Sequence, residues 1–240
     1  MDKLPLDIII PVFNEKDVIV STLEEIRSKV LTSHRIFIVY DFEADNTIPV
    51  VKEYIQSSKI ANIILLKNDY GKGVINAIKK GFHASEALAT LVVMGDLSDD
   101  LSVVDSMFSK IKEGYDIVCG SRYMRGGRQI GGPLFKGFLS RMAGLSLHWI
   151  TKIPTHDISN SFKMYRTSLL KIITIESTGG FEIGLEVLVK AFVEGYKITE
   201  IPSIWSDRVA GKSNFKLLKW LPKYLKWYLY AINSDFGTIK

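Results

Sequence analysis

Apolar and polar positions alternate in blocks along the first 120 residues. Asp7–Val12 is a β-rich run that breaks into a loop at Pro11-Val12-Phe13-Asn14-Glu15. Glu15–Val30 then carries Val18, Ile19, Leu23, Ile26 and Val30 close to the period of a helix. The same alternation predicts strands at Arg35–Tyr40, Asn62–Lys67, Thr90–Met94 and Asp116–Gly120. It predicts helices at Thr47–Ser57, Lys72–Leu88 and Leu101–Glu113, with Pro49 tolerated in a first turn. Strands alternating with helices imply an α/β fold, a mostly parallel sheet with helices on both faces. Ligands of such sheets bind beyond the carboxyl ends of the strands.

The pattern changes after residue 120. Gly126, Gly127, Gly131 and Gly132 mark a basic, flexible loop, followed by a helix from about Phe135 to Ile150. A helix at Gly184–Val193 and a short strand at Ile198–Ile201 come later. The final stretch, Phe215–Ala231, is rich in Trp and Lys. At 240 residues and 47% apolar, the chain can bury a substantial core and is not disordered. Residues 1–213 are expected to form one catalytic domain and 214–240 an appended tail.

Charge changes the picture at the end of the chain. The formal net charge is +5, yet residues 208–240 hold seven basic side chains and one acid, a balance of +6. The remainder is nearly neutral, which removes the main support for nucleic-acid binding. In the tail, Lys216, Lys219, Lys223 and Lys226 fall on one helical stripe. Trp220, Leu221, Tyr224, Leu225, Trp227, Tyr228 and Leu229 occupy much of the rest. A basic stripe beside aromatic surface predicts an amphipathic helix in a membrane interface, against the alternative of a helix packed on the domain. Apolar runs such as Leu6–Phe13 are too short to span a bilayer, and no signal-peptide pattern opens the sequence. The expectation is a cytoplasmic protein, peripheral on the membrane. The single cysteine, Cys119, reads as a small buried hydrophobe.

The candidate chemistry lies at the predicted strand ends. There the chain places Asp41, Glu43 and Asp45 after strand two, Asp69 after strand three, and Asp96, Asp99 and Asp100 after strand four. Carboxylates gathered at one edge repel each other unless a cation lies between them. Mg²⁺ binds through one or two carboxylates plus phosphate oxygens, so a metal-bound diphosphate fits this edge. Asp45 and Asn46 also fit caps and turn residues, and Asp99 or Asp100 fit them even more.

The ordered set of motifs resembles the family 2 glycosyltransferases of GT-A (Rossmann-like) fold, above all the dolichol- and polyprenyl-phosphate sugar synthases. The resemblance rests on Gly71-Lys72-Gly73 with Ala77 and Gly81, on Asp96-Leu97-Ser98, and on Gly120-Ser121-Arg122-Tyr123. It continues through His156–Arg166 and through Asp207-Arg208 with Gly211-Lys212-Ser213. It implies a nucleotide-sugar site formed by Pro11, Phe13, Glu15, Asp41, Asp45, Lys72, Asp96, Arg208 and Lys212. It implies that Asp41 contacts the base, that Asp96 holds Mg²⁺ or Mn²⁺, and that Arg208 and Lys212 close over the donor. Arg122, Lys136 and Ser140 match the positions that bind an acceptor phosphate. Asp157 orients the acceptor, acts as a base, or is a structural cap. The chain departs from the family at Tyr40, Phe42 and Glu43 in the acid loop, and at Asn160 and Lys163 downstream. Met94 stands where the first acid of the Asp-x-Asp metal motif is expected, which leaves Asp96 alone.

The resemblance implies inverting transfer of a hexose, mannose or glucose, from a nucleotide-sugar to a polyprenyl or dolichyl phosphate. Transfer to a saccharide is an alternative, as is a catalytically silent, membrane-associated nucleotide-sugar-binding protein. A nucleotidyltransferase would need a Gly-rich phosphate loop after strand one, where Phe13-Asn14-Glu15 stands instead.

Overall fold

A computed structural model describes residues 4–207 and 217–237, the side chains of the latter segment from 221 to 234. In chain order the elements are β1 (Leu6–Pro11), α1 (Ile19–Lys29), β2 (His34–Tyr40), α2 (Thr47–Ser58), β3 (Ile63–Lys67), α3 (Val74–Ala84) and β4 (Ala89–Val92). After a 3-10 turn at Leu101–Val103 come α4 (Val104–Lys112), β5 (Ile117–Ser121), β6 (Arg128–Ile130) and α5 (Leu134–Thr151). The rest is β7 (Lys163–Arg166), α6 (Thr167–Ile172), α7 (Ile183–Val193), β8 (Ile198–Pro202), β9 (Ile204–Ser206) and α8 (Leu217–Gly237).

Seven strands form one sheet in the order β3-β2-β1-β4-β7-β5-β8. All neighbouring pairs are parallel except those of β7, which runs antiparallel to both β4 and β5. Every residue of β1 is buried, because helices cover both faces of the sheet and leave it no solvent side. Each face has its own apolar core, one including Ile9, Phe82 and Leu188, the other Ile8, Leu23 and Phe108. From β1 the chain goes to β2 on one side, and β4 pairs with β1 on the other, so the strand order reverses between them. The loops after β1 and β4 therefore flank the crevice where such sheets take ligands.

The sequence expectation holds for the parallel α/β sheet and misses its reversed strand. β7 has only four residues, and its first, Lys163, looks like a surface residue in the sequence. The reversal has a consequence for the site. An antiparallel strand brings the segment before it, rather than after it, to the carboxyl edge of its neighbours. That delivers Asp157, Ser159 and Asn160 to the ligand edge. A second two-stranded sheet, β6 with β9, was also not foreseen.

Some boundaries move for local reasons. β4 stops at Val92, short of Met94, because the Met94 amide donates to the Asp99 carboxylate at 2.9 Å. α3 starts at Val74, because Gly71 and Gly73 take left-handed φ values of 99° and 113° before it. The C-terminal helix is present, and α8 packs on α5 and α7. Its Trp227 is 2% exposed, lies among core residues, and donates its indole N–H to Ser177 Oγ at 3.0 Å. The aromatic surface read from the sequence is thus divided: Trp227 faces the body, and Leu221, Leu225 and Leu229 face out. Lys216 lies outside the described residues, as do the side chains of Lys219 and Trp220. Among the described residues no helix is long and apolar enough to cross a membrane.

Candidate active site

One side of the crevice is built from three loops. Asp41, at the end of β2, accepts from Asn68 Nδ2 and from the Gly73 N–H, each at 2.7 Å. It joins the acid loop to the Gly71-Lys72-Gly73 turn, where Lys72 is exposed. Asp45 is 1% exposed and accepts from the Asn14 N–H at 3.1 Å and the Thr47 N–H at 2.8 Å. The Glu15 N–H donates to Thr47 Oγ1 at 2.9 Å. Asp45 therefore holds the Pro11–Glu15 loop against the start of α2 and keeps Asn14 at a left-handed φ of 58°. Phe13 is 57% exposed and meets Phe42 edge-on, with ring centroids 5.8 Å apart. The sequence named Phe13 for the nucleotide-sugar site but not its pairing with Phe42. The signal for that pairing was two Phe residues on adjacent strand-end loops.

The loop after β4 carries the buried acids. Asp96 is 6% exposed and accepts from the Ser98 N–H at 3.2 Å. Leu97 follows at a left-handed φ of 60°, an uncommon conformation for a residue with a side chain. Asp99, also buried, accepts from the Met94 amide. Burial pushes its carboxyl up to about 7, with the Asp96 charge adding to the rise. Asp100 is a cap, accepting from the Ser102 N–H and hydroxyl. The cap reading of the sequence fits Asp100. Asp99 turns back toward the loop.

The far side of the crevice centres on Arg122, just after β5. Its Nε lies 2.7 Å from Asp157 Oδ2 and its Nη2 2.9 Å from Oδ1, a two-point ion pair. The Arg122 amide also donates to Asp157, and Nη2 reaches the hydroxyls of Ser140 and Ser159 at 3.2 and 3.0 Å. Tyr123 donates its hydroxyl to Ser140 at 2.9 Å. Burial opposes both charges of the pair, and mutual attraction overrides it. Asp157 is held below its ordinary value and Arg122 above its own. Three residues distant in sequence, Arg122, Ser140 and Asp157, are thus brought together, with Lys136 one turn earlier on α5. α5 approaches this closely because residue 144 is Gly: a Cβ there would lie 2.1 Å from the His156 carbonyl oxygen.

Two further residues have clear places. Lys163 is fully buried and donates to the carbonyls of Ile158 and Asn160, so it supports the loop that carries them. Burial lowers its pKa. Cys119 is buried as expected, its thiol pushed up to about 12 by desolvation. Arg208 and Lys212 lie outside the described residues. Among those described, no group of three His, Cys, Asp or Glu side chains forms a metal cluster. The fit of a cation therefore rests on the two buried acids, Asp96 and Asp99, together with whatever oxygens a ligand brings.

A mostly parallel sheet with one reversed strand and buried acids at its switch point has the architecture of the GT-A fold. Comparison with known proteins agrees with this. The chain belongs to glycosyl transferase family 2, whose profile matches residues 7–173. It is 27% identical to a dolichol-phosphate mannosyltransferase of Pyrococcus furiosus, over 93% of this chain and 64% of that protein. It is also 27% identical to an uncharacterised glycosyltransferase, YkcC, of Bacillus subtilis, over 89% of this chain and 64% of that one. The chain thus spans less than two thirds of the length of these relatives. Among solved structures it resembles glucosyl-3-phosphoglycerate synthase of Mycobacterium tuberculosis, in complex with Mn²⁺, UDP and glucosyl-3-phosphoglycerate. The TM-score is 0.68 at 14% identity, covering 98% of this chain and 81% of that one, a likeness of fold.

Proposed function

We propose that the protein transfers a hexose from a nucleotide-sugar to a polyprenyl-type lipid phosphate at a membrane surface, with inversion. The observation that carries the acceptor class is the two-sided character of α5. Its inner side brings Ser140 against Arg122, whose Nη2 donates to it, so a guanidinium and a hydroxyl lie together as phosphate recognition uses them. Its outer side is apolar. Leu134, Phe138, Met142 and Trp149 are exposed and recur at helical spacing, away from the buried Gly144, Leu147 and Thr151. Residues 117–156 contain six Lys and Arg and no acid, which suits an anionic headgroup layer. Leu221, Leu225 and Leu229 of α8 are exposed too, and Tyr228 donates to Ser146 of α5 at 2.9 Å. A lipid phosphate lying along α5 would meet its polar needs and its apolar needs within one helix diameter.

In this reading Asp96 holds a divalent cation, Mg²⁺ or Mn²⁺, which when bound neutralises the departing diphosphate. Asp41 and the Pro11–Glu15 loop, braced by Asp45, receive the nucleotide. Arg122, Lys136 and Ser140 hold the acceptor phosphate, whose oxygen is already anionic near neutral pH because its second pKa is about 6. A strong base is then unnecessary, and Asp157 acts by orienting Arg122. Arg208 and Lys212 add positive charge over the donor. The relative named as a dolichol-phosphate mannosyltransferase supports the acceptor class.

The test is incubation of the protein with polyprenyl phosphate, Mg²⁺ or Mn²⁺, and a panel of nucleotide-sugars, with products identified by mass spectrometry. A hexosyl phospholipid is expected. Transfer to saccharides alone, or donor binding with no turnover, would overturn the proposal. Flotation with anionic liposomes, with and without residues 214–240, tests the contribution of the C-terminal helix.

A further inference from the structure

The loop from Met94 to Asp100 contains an acid, Asp99, whose structural task at the end of β4 uses only one of its two carboxylate oxygens. Asp100 uses both: its Oδ1 caps Ser102, and its Oδ2 accepts from the Ile204 N–H at 3.3 Å. Asp99 is 7% exposed, and its Oδ2 accepts from the Met94 amide at 2.9 Å. Its Oδ1 accepts from no described residue. A buried carboxylate oxygen without a donor is costly unless positive charge reaches it, and the Arg122 guanidinium offsets the Asp99 charge without hydrogen-bonding it. Asp96, equally buried, lies on the same turn, and the two negative charges oppose each other.

The position of Asp99 gives this its meaning. Its carboxylate folds back onto the backbone of residue 94, where the family's Asp-x-Asp motif would have its first acid and this chain has Met. We infer that Asp99 supplies the second carboxylate of the cation site, so that Asp96 and Asp99 together replace an Asp-x-Asp pair. The site then has two protein acids, and the remaining positions of a six-coordinate ion go to donor diphosphate oxygens and water. The cation binds weakly to the protein alone and tightly once a nucleoside diphosphate is present. The inference rests on the reading of this crevice as a nucleotide-sugar site. It does not depend on the acceptor.

The experiment measures binding of Mn²⁺ by the depletion of its free-ion electron paramagnetic resonance signal, with UDP and separately with GDP. Wild type is compared with Asp96→Asn, Asp99→Asn, Asp100→Asn and the double variant Met94→Asp with Asp99→Asn. Asp99→Asn is expected to weaken Mn²⁺ binding by on the order of tenfold or more, the least expected for a lost ligand. Asp100→Asn is expected to stay within about twofold, as a cap without metal contact. The double variant is expected to regain most of the loss. Melting in a chelator checks that each variant is folded. Wild-type affinity in Asp99→Asn alongside loss in Asp96→Asn would overturn the inference and leave Asp96 as the only acid ligand. Failure of wild type to bind Mn²⁺ with either nucleotide would overturn it as well. Mn²⁺ binding that depends on Asp99, with no transfer to lipid phosphate, would instead count against the proposed acceptor alone.

Discussion

Arg122 and Asp157 make a fork-to-fork ion pair, with Nε–Oδ2 at 2.7 Å and Nη2–Oδ1 at 2.9 Å, and Asp157 is fully buried. One geometry thus serves both stability and the site, and the two roles separate by mutation. Asp157→Ala strands a buried guanidinium and is expected to cost about 3–5 kcal/mol, read by urea unfolding. Ser140→Ala is expected to cost no more than about 1 kcal/mol, while raising the KM for the acceptor. Equal loss of stability in both would remove the distinction.

The same pair sets behaviour in acid. Asp157 has its folded pKa below its unfolded one, so its stabilisation is complete above about pH 4 and is lost as pH falls through the lower folded value. Asp99 has the opposite sign. Its folded value of about 7 exceeds the unfolded one, so stability declines as pH rises from about 4 toward 7. In a chelator, Asp99→Asn is expected to flatten that decline and to raise stability at pH 8 relative to wild type. Urea melts from pH 4 to 8 check both signs.

Gly144 permits the close approach of α5 to the loop bearing Asp157. A Cβ at 2.1 Å from the His156 carbonyl oxygen cannot be accommodated by a side-chain shift, since the opposing atom is backbone. Gly144→Ala is expected to destabilise by about 1–3 kcal/mol despite its gain in helix propensity. An unchanged melting temperature would show that α5 can move away freely.

Trp227 tests whether the C-terminal helix belongs to the body. Trp227→Ala is expected to cost about 3–5 kcal/mol, as for a large buried side chain. Leu225→Ala, on the exposed side, is expected to change stability by less than about 0.5 kcal/mol and to reduce binding to anionic vesicles. Stability losses of equal size would contradict the division of this helix into an inner and an outer face.

Much of the fold was legible because strands buried on both faces leave continuous apolar runs, as in β1, β2 and β5. β7 was not, because four residues beginning with a buried lysine show no strand pattern. At the crevice, the placement of Asp41, Asp96 and Arg122 after strands was legible from the apolar runs that precede them. The role of Asp45 was harder to see, because a ligand-binding acid and a loop brace look alike until the Asn14 and Thr47 amides are placed. Asp99 was read as a cap because it precedes a helical turn. Its return to Met94 depends on the left-handed turn at Leu97, which spacing does not reveal. Trp227 resembled its aromatic neighbours until α7 and α8 were seen to share a core.

The small sheet of β6 and β9 ties distant parts of the crevice together mechanically. The Ser206 amide donates to the Ser98 carbonyl at 3.1 Å, and the Asp207 amide to the Ile130 carbonyl at 2.9 Å. The chain that leads on toward Arg208 thus leaves from a tether shared by the acid turn and by the basic loop before α5. The acid turn, the strand β6 ahead of the basic helix α5 and the C-terminal exit of β9 therefore share a single backbone junction.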